Sequence, residues 1–199
     1  MSGVAFRSVS DLVITDQLYA RPRRTRDVDA DVQSFRRLSV QLVDEPAAAI
    51  QGMLEIALVL CGAGSAAVSV IEADDDGQTV VRWKATAGEL ARYVGRTTPR
   101  EGSHCGLSLD AGRTILISHP ARAFDHLNAV NRPLVECLVV PLYDSTRLPL
   151  GAVWIAHHDI RQRFDSDDVQ VLELLAGQLA LALELMRNEN LPPNPPRPS

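Results

Sequence analysis

The chain has 199 residues, 46% of them hydrophobic and 23% charged, with a formal net charge of −5. That length fits one domain with extensions, and the apolar content can fill a sizeable core. The acidic balance excludes the basic face or stripe that a nucleic-acid binder needs.

The first stretch, MSGVAFRSVSDLVITD, has no apolar core behind a positive cluster, so no secretory signal is expected there. No run reaches the roughly 18 uninterrupted apolar residues of a membrane span, and a soluble cytoplasmic protein is expected. Residues 1–26 read as an N-terminal extension: SDLVITDQLYARP forms a short packed turn, and RPRRTR, Arg21 to Arg26, is a solvated hinge. From Asp27 to Val43, Val32, Phe35, Leu38 and Leu42 recur at helical spacing, with Asp27 and Asp29 suited to a helix N-terminus. Pro46 opens a second helix that buries Ile50, Met53, Leu54, Ala57, Leu58 and Cys61 and stops at Gly62 and Gly64.

Ala66 to Glu72 reads as a strand, DDDG as a hairpin turn, and Thr79 to Ala85 as a second strand. There Val81, Trp83 and Ala85 alternate with Val80, Arg82 and Lys84, so Trp83 faces inward. Gly95 to Asp110 lacks periodicity and holds Pro99, Gly102 and Gly106, hence a loop leading into a short helix. Thr114 to Ser118 is a third strand, and His119 to Pro133 a connecting loop with a helical turn. Val135 to Leu142 and Leu150 to Ala156 flank the turn residues DSTRLP and pair as a hairpin. Their dense apolar content places them at the centre of a sheet covered on both faces. The last helix starts at Asp165, and its Leu172, Ala176, Leu179, Leu183 and Met186 step by four, three, four and three. That is the seam of a coiled coil over about two heptads, although a core-facing helix fits the same pattern. Residues 191–199, LPPNPPRPS, read as a disordered proline-rich tail.

The stretch VECLVVPLYDSTRLPLGAVWIAHH, followed by Arg161, Arg163, Phe164 and Asp165, resembles the closing half of a GAF domain. A strand ending in Val-Pro-Leu, a turn, a strand opening with Gly and a Phe-Asp helix start follow in the family's order. GRTILIS and AGSAAVSVIE fall where the family has other strands. The resemblance covers about Asp44 to Arg187 and implies an α/β (α+β) fold for a single domain over residues 27–190. Its central antiparallel sheet would have five or six strands in the order 2-1-5-4-3, with helices on one face and pocket-forming loops on the other. The resemblance also implies a non-catalytic module that senses a small molecule of unknown identity in bacterial-type signal transduction. Its output would pass through a partner such as a histidine kinase. A homodimer held by the Asp27 to Val43 and Asp165 to Met186 helices is expected, with Leu179 in the seam.

Three scattered cysteines, Cys61, Cys105 and Cys137, form no Cys-x-x-Cys pair and fit a reducing compartment. GSHCG, Gly102 to Gly106, sets His104 beside Cys105. An imidazole can lower a thiol's pKa, but neighbours in sequence tend to point apart and a nucleophile needs an oriented base. No catalytic residue is therefore expected, and Cys105 reads as a partly buried thiol at the pocket mouth. Phytochrome-like bilin attachment uses Cys-His close to the hairpin, whereas this chain has His-Cys earlier and no cysteine in HLNAVNRP. The Asp-x-Cys-Phe motif of a second bilin-binding lineage is also missing, so Cys105 is expected to carry no chromophore. His157 and His158 point to opposite faces at a strand end, so no metal is expected and both read as exposed. Arg161-Gln162-Arg163 stands where cyclic-nucleotide-binding members carry Asn and Lys, so Asp165 reads as a helix cap.

The expected ligand-binding residues are Trp83, Ser103, His104, Cys105, Arg122, Phe124, Asp125 and His126. Trp83 offers a large apolar surface with one donor. Ser103, His104 and Cys105 lie on the loop that should roof the pocket, and the other four sit in the longest irregular connection. Arg122 and Asp125 also fit a simple surface pair. Two alternatives remain: an enzyme resembling GAF-fold free methionine sulfoxide reductases, with Cys105 and Cys137 as its thiols, or a structural dimerisation domain with a collapsed pocket.

Overall fold

A computed structural model describes residues 8–24, 33 and 45–189. The expected helix over Asp27 to Val43, apart from residue 33, and the tail over 191–199 lie outside the described residues. Six strands form one antiparallel sheet: β1 (Ser65–Ala73), β2 (Thr79–Gly88), β3 (Thr97–Pro99), β4 (Ile115–Ser118), β5 (Glu136–Tyr143) and β6 (Pro149–His157). Their order is β3-β2-β1-β6-β5-β4, which is the expected order once β3 is set aside. β3 is a three-residue edge strand ending in a proline, too short to show a period and in the one place a sheet tolerates that residue.

Helix α1 (Gln17–Ala20) is one turn, α2 spans Pro46–Cys61, α3 His104–Ala111 and α4 Ser166–Glu189. α2 has Pro46 in its first turn and ends on Gly62 at φ 59, the left-handed cap that glycine adopts without strain. At the start of α4, Asp165 Oδ1 accepts from the N–H of Asp167 (2.8 Å) and of Asp168 (3.3 Å). Asp168 Oδ2 returns the bond by accepting from Asp165 N–H at 2.9 Å, so the expected cap is a reciprocal box. Burial opposes the charge on Asp165, but bonds from the Arg24, Asp167 and Asp168 N–H groups outweigh it and its carboxyl falls below the ordinary value.

α2 and α4 cover one face, where Met53, Leu54, Leu172, Leu175 and Leu179 pack on Val68, Leu138, Val153 and Ile155. The seam of α4 therefore belongs to this domain's own core, because Leu172 and Leu179 are fully buried against the sheet. The outward row of the helix instead carries Leu174 and Leu181, 62% and 44% exposed. α4 is long and apolar enough to cross a membrane, and packing on the sheet accounts for much of that apolarity. The other face is covered by α3 and by 3-10 turns at Pro120–Arg122 and Asp125–Ala129, over Val81, Trp83, Ile115, Ile117, Val139 and Trp154.

Two sequence expectations fail here for identifiable reasons. Ser69 pairs with Trp83 but Val68 pairs with Ala85, so Lys84 is the extra residue of a β-bulge. Alternation breaks there: Trp83 faces the second core and Ala85 the helix-covered one. The described part of the basic run, Arg21 to Arg24, is no solvated hinge either. Arg21 reaches buried Glu136 through Nη1 to Oε2 (3.0 Å) and Nη2 to Oε1 (2.8 Å), and donates to Phe164 O at 2.7 Å. Arg24 pairs with Asp165 and Asp168. A strand carboxylate with 2% exposure needs a counter-charge, and Arg21 of the N-terminal segment supplies it together with Arg163. That segment also closes the β4 edge, with Ile14 N–H donating to Leu116 O at 2.8 Å and Val13 bridging Ile117.

Candidate functional site

The second core is aromatic and polar at once. The bulge at Lys84 turns Trp83 onto this face, where its ring meets Trp154 edge-on at 5.0 Å and Tyr93 at 6.5 Å. Trp154 Nε1 donates to Ser69 Oγ at 3.1 Å. Trp83 Nε1 and Thr98 Oγ1 are equally enclosed, yet neither has a hydrogen-bond partner among the described residues. Thr98 stands opposite Val81 on β3 and so faces the same side as Trp83.

α3 is placed by two residues. Ser103 Oγ accepts from Gly106 N–H and donates to Arg100 O, each at 2.9 Å, which commits the hydroxyl to the helix cap. A Cβ on Gly106 would stand 2.1 Å from Arg100 O, so only glycine lets the first turn close on that carbonyl. The turn delivers His104 into the core, edge-on to Trp154 at 5.0 Å, stacked on His126 at 5.4 Å and tilted against Phe124 at 6.0 Å. His104 Nδ1 lies 3.3 Å from His126 Nε2, and Cys105 Sγ lies 3.5 Å from His104 Nε2.

Burial, then the neighbouring His126, lowers His104 to about 3. Burial and the Arg96 charge lower His126 to about 4, against the opposing pull of Asp125. Burial pushes the Cys105 thiol up to about 12, eased by a bond to Ser69, and holds Cys137 well above its ordinary value. Near neutral pH the centre therefore holds two neutral imidazoles and two protonated thiols.

The strand order and the split of α2 and α4 from α3 are accompanied by a family match: the GAF domain profile matches residues 44–184. The chain belongs to the GAF domain family. No curated protein sequence matches it. Among solved structures, the GAF domain of a phosphoenolpyruvate-protein phosphotransferase from Coxiella burnetii superposes with a TM-score of 0.67 at 16% identity, covering 82% of this chain and 98% of that one. The phycoerythrobilin-bound GAF domain of a cyanobacterial phytochrome gives 0.63 at 13%, covering 84% and 99%. Free methionine-R-sulfoxide reductase from Neisseria meningitidis, in complex with its substrate, gives 0.62 at 18%, covering 86% and 99%. At these identities the likeness is one of fold.

Within this GAF domain, Trp83, His104, Cys105, Phe124 and His126 come together, and Ser103 is buried at the helix cap beside them. Arg122 and Asp125 are exposed, outside the cluster. GSHCG is the cap and first turn of a helix, not a loop, and Cys105 is fully buried rather than at a pocket mouth. The side chains of His104 and Cys105 do meet, because the capped turn folds both inward. His157 is not exposed: its ring stacks on Phe164 at 3.9 Å and both nitrogens lack a partner among the described residues. His158 is held by Ser65 Oγ (2.7 Å) and Pro133 O (3.1 Å). Among the described residues no three His, Cys, Asp or Glu side chains converge on a metal position.

Sequence reasoning missed Ser69, Tyr93, Arg96, Thr98 and Trp154. Trp154 was within reach, since alternation along β6 puts it opposite Val153 and Ile155. An open groove of about 460 Å³ lies elsewhere, between Val70, Leu150, Leu183 and Met186. It lacks the enclosed donors of the aromatic core, so the latter is the candidate site.

Proposed function

We propose that this GAF domain is a non-catalytic sensor whose small-molecule site lies between Trp83 and the roof made of α3 and the Asp125–Ala129 turn. The observation that carries the reading is the pair of enclosed donors, Trp83 Nε1 and Thr98 Oγ1, without acceptors among the described residues. A buried donor left unpaired costs about 1–3 kcal/mol, which a ligand or solvent acceptor recovers. The reductase alternative is disfavoured by the same burial. A thiol at about 12 carries almost no thiolate near neutral pH, and thiol redox chemistry runs through thiolate.

Output through a partner, in a cytoplasmic homodimer, completes the proposal. Leu174 and Leu181 replace Leu179 as the residues that a second copy would cover, and Leu181→Glu with Leu174→Glu should give monomer by light scattering. The ligand site is tested by thermal-shift screening of metabolites, since a ligand at 100 times its Kd adds about 2.7 kcal/mol. Hits should lose most of their shift in Trp83→Phe or Phe124→Leu. A hit indifferent to both places its ligand elsewhere.

A further inference from the structure

The rim of the aromatic core carries two guanidinium groups that form no ion pair among the described residues. Arg92 lies with its guanidinium carbon 5.0 Å from the Tyr93 ring centre, and Arg96 at 5.4 Å. Arg96 also covers the Trp83 ring at 5.7 Å. Elsewhere in the domain Glu72 pairs with Arg82, Glu89 with Arg132 and Asp110 with Arg100, and Asp125, which with Arg96 acts on His126, forms no ion pair with Arg96. Arg92 and Arg96 enter none of the ion pairs among the described residues. The side chain of Arg96 makes a long hydrogen bond, Nη2 to His126 O at 3.4 Å. Arg92 donates to the Tyr93 hydroxyl at 3.1 Å, and the same hydroxyl accepts from Asn131 N–H at 2.9 Å. Burial opposes ionisation of the Tyr93 phenol, yet the Asn131 N–H and the two cations hold it below its ordinary value. The field at this rim is positive.

We infer that the ligand of this site carries an anionic head group, a carboxylate in the first instance, which binds the guanidinium groups of Arg96 and Arg92 while its apolar body lies toward Trp83. This rests on the sensor reading above. A half-buried guanidinium over an indole, with one weak carbonyl acceptor and no counter-ion, is a strong donor lacking a matched acceptor. A carboxylate supplies that acceptor in the planar fork geometry arginine favours. His104 and His126 are neutral, so they take no part of the charge. The exchange has a structural consequence. The His126 carbonyl belongs to the Asp125–Ala129 turn, so a carboxylate that draws Arg96 away releases a tie between the β2–β3 connection and the roof. Binding and roof movement are thereby one event.

Trp83 and Trp154, the chain's two tryptophans, both lie in this core, so intrinsic fluorescence reports on it directly. The test titrates the full chain with aromatic and short-chain carboxylic acids, each beside its uncharged primary amide, phenylacetate with phenylacetamide among them. At least one acid is expected to bind about tenfold or more tightly than its amide, and rising salt should weaken the acid alone. Arg96→Gln should abolish that preference and Arg92→Gln, on an exposed side chain, should reduce it. Both variants should keep the wild-type circular dichroism. Equal binding of acids and amides, or an acid preference that survives Arg96→Gln, overturns the inference but leaves the sensor reading standing. If neither acids nor amides bind at millimolar concentration, the inference fails, and the sensor reading fails only if the metabolite screen also yields no hit.

Discussion

The two faces of the sheet are built from the same strands but to different rules. Under α2 and α4 the core is aliphatic, with Leu, Val, Ile, Ala, Met and one cysteine, Cys61, around a lone phenylalanine, Phe164. Under α3 and the 3-10 turns it holds two tryptophans, Phe124, two cysteines and the buried His104, and it encloses donors that find no partner among the described residues. The first arrangement maximises transfer free energy, and its unpaired buried polar atoms are those of His157, which stacks on Phe164. The second gives up stability in polar groups that cost energy while unpaired, the usual signature of a surface that completes itself on binding. One face holds the domain together, and the other is where a molecule from outside has most to offer.

The sharpest way to break this comparison is to truncate each side. Leu179→Ala, on the helix-covered face, should lose about 2–5 kcal/mol in urea denaturation, since the cavity adds to the lost transfer term. Leu179→Glu should unfold the domain rather than dissociate a dimer. If Leu179→Ala costs less than about 1 kcal/mol, α4 is not a core helix and the division between the faces is wrong.

Acid should act on both faces, through His104 and His126 on the polar one and through His157, stacked on Phe164, on the helix-covered one. His104 is held neutral, at about 3 against an ordinary 6.5, and His126 and His157 at about 4. A base whose folded pKa is depressed gives stability that is whole above the unfolded value and is lost as pH falls toward the folded one. The window is therefore roughly pH 6.5 down to 3, and at pH 5 His104 alone should cost about 2 kcal/mol. Denaturation across that range should show the fall, and His104→Gln should flatten it by one proton. A slope unchanged in the variant assigns the effect elsewhere.

Cysteines provide a reporter on each face: Cys61 under the helices, Cys105 and Cys137 under the roof. All three are buried and should resist a thiol reagent in the native state. If the roof opens without global unfolding, Cys105 and Cys137 label before Cys61, and their rates stay level in low urea while that of Cys61 climbs. Simultaneous labelling of all three means a single cooperative unit with no separate roof.

Much of this division was legible in the sequence because burial on the helix side is periodic. Ile50, Met53, Leu54 and Ala57 announce α2, and Pro46 and Gly62 bound it. The strand order followed from family resemblance, not from periodicity. The site was half legible. Trp83 was placed correctly by an alternation that in fact breaks one residue later, since a bulge leaves no local mark beyond Lys84 itself. Arg96 and Thr98 were invisible because their importance comes from what they face across β2 and β3, a matter of register. The docking of Arg21 on Glu136 joins positions far apart in the chain, and a basic run beside a proline gives no hint of a distant buried acid.

The smallest expected effect separates the two faces most cleanly. Thr98→Val replaces a buried hydroxyl with a methyl of nearly the same shape. Where the hydroxyl is bonded such a change destabilises, but Thr98 Oγ1 has no partner among the described residues, so the loss is absent and the desolvation penalty is relieved. Valine also suits a strand at least as well as threonine. The variant should therefore be neutral or gain up to about 1 kcal/mol in the free protein. If the hydroxyl serves a ligand, the same variant should bind the best hit of the metabolite screen more weakly despite its greater stability. A stability gain paired with a binding loss is what a group retained for recognition predicts. A loss of stability in Thr98→Val would show that the hydroxyl already has its partner in solution, and Trp83 Nε1 alone would then mark the site.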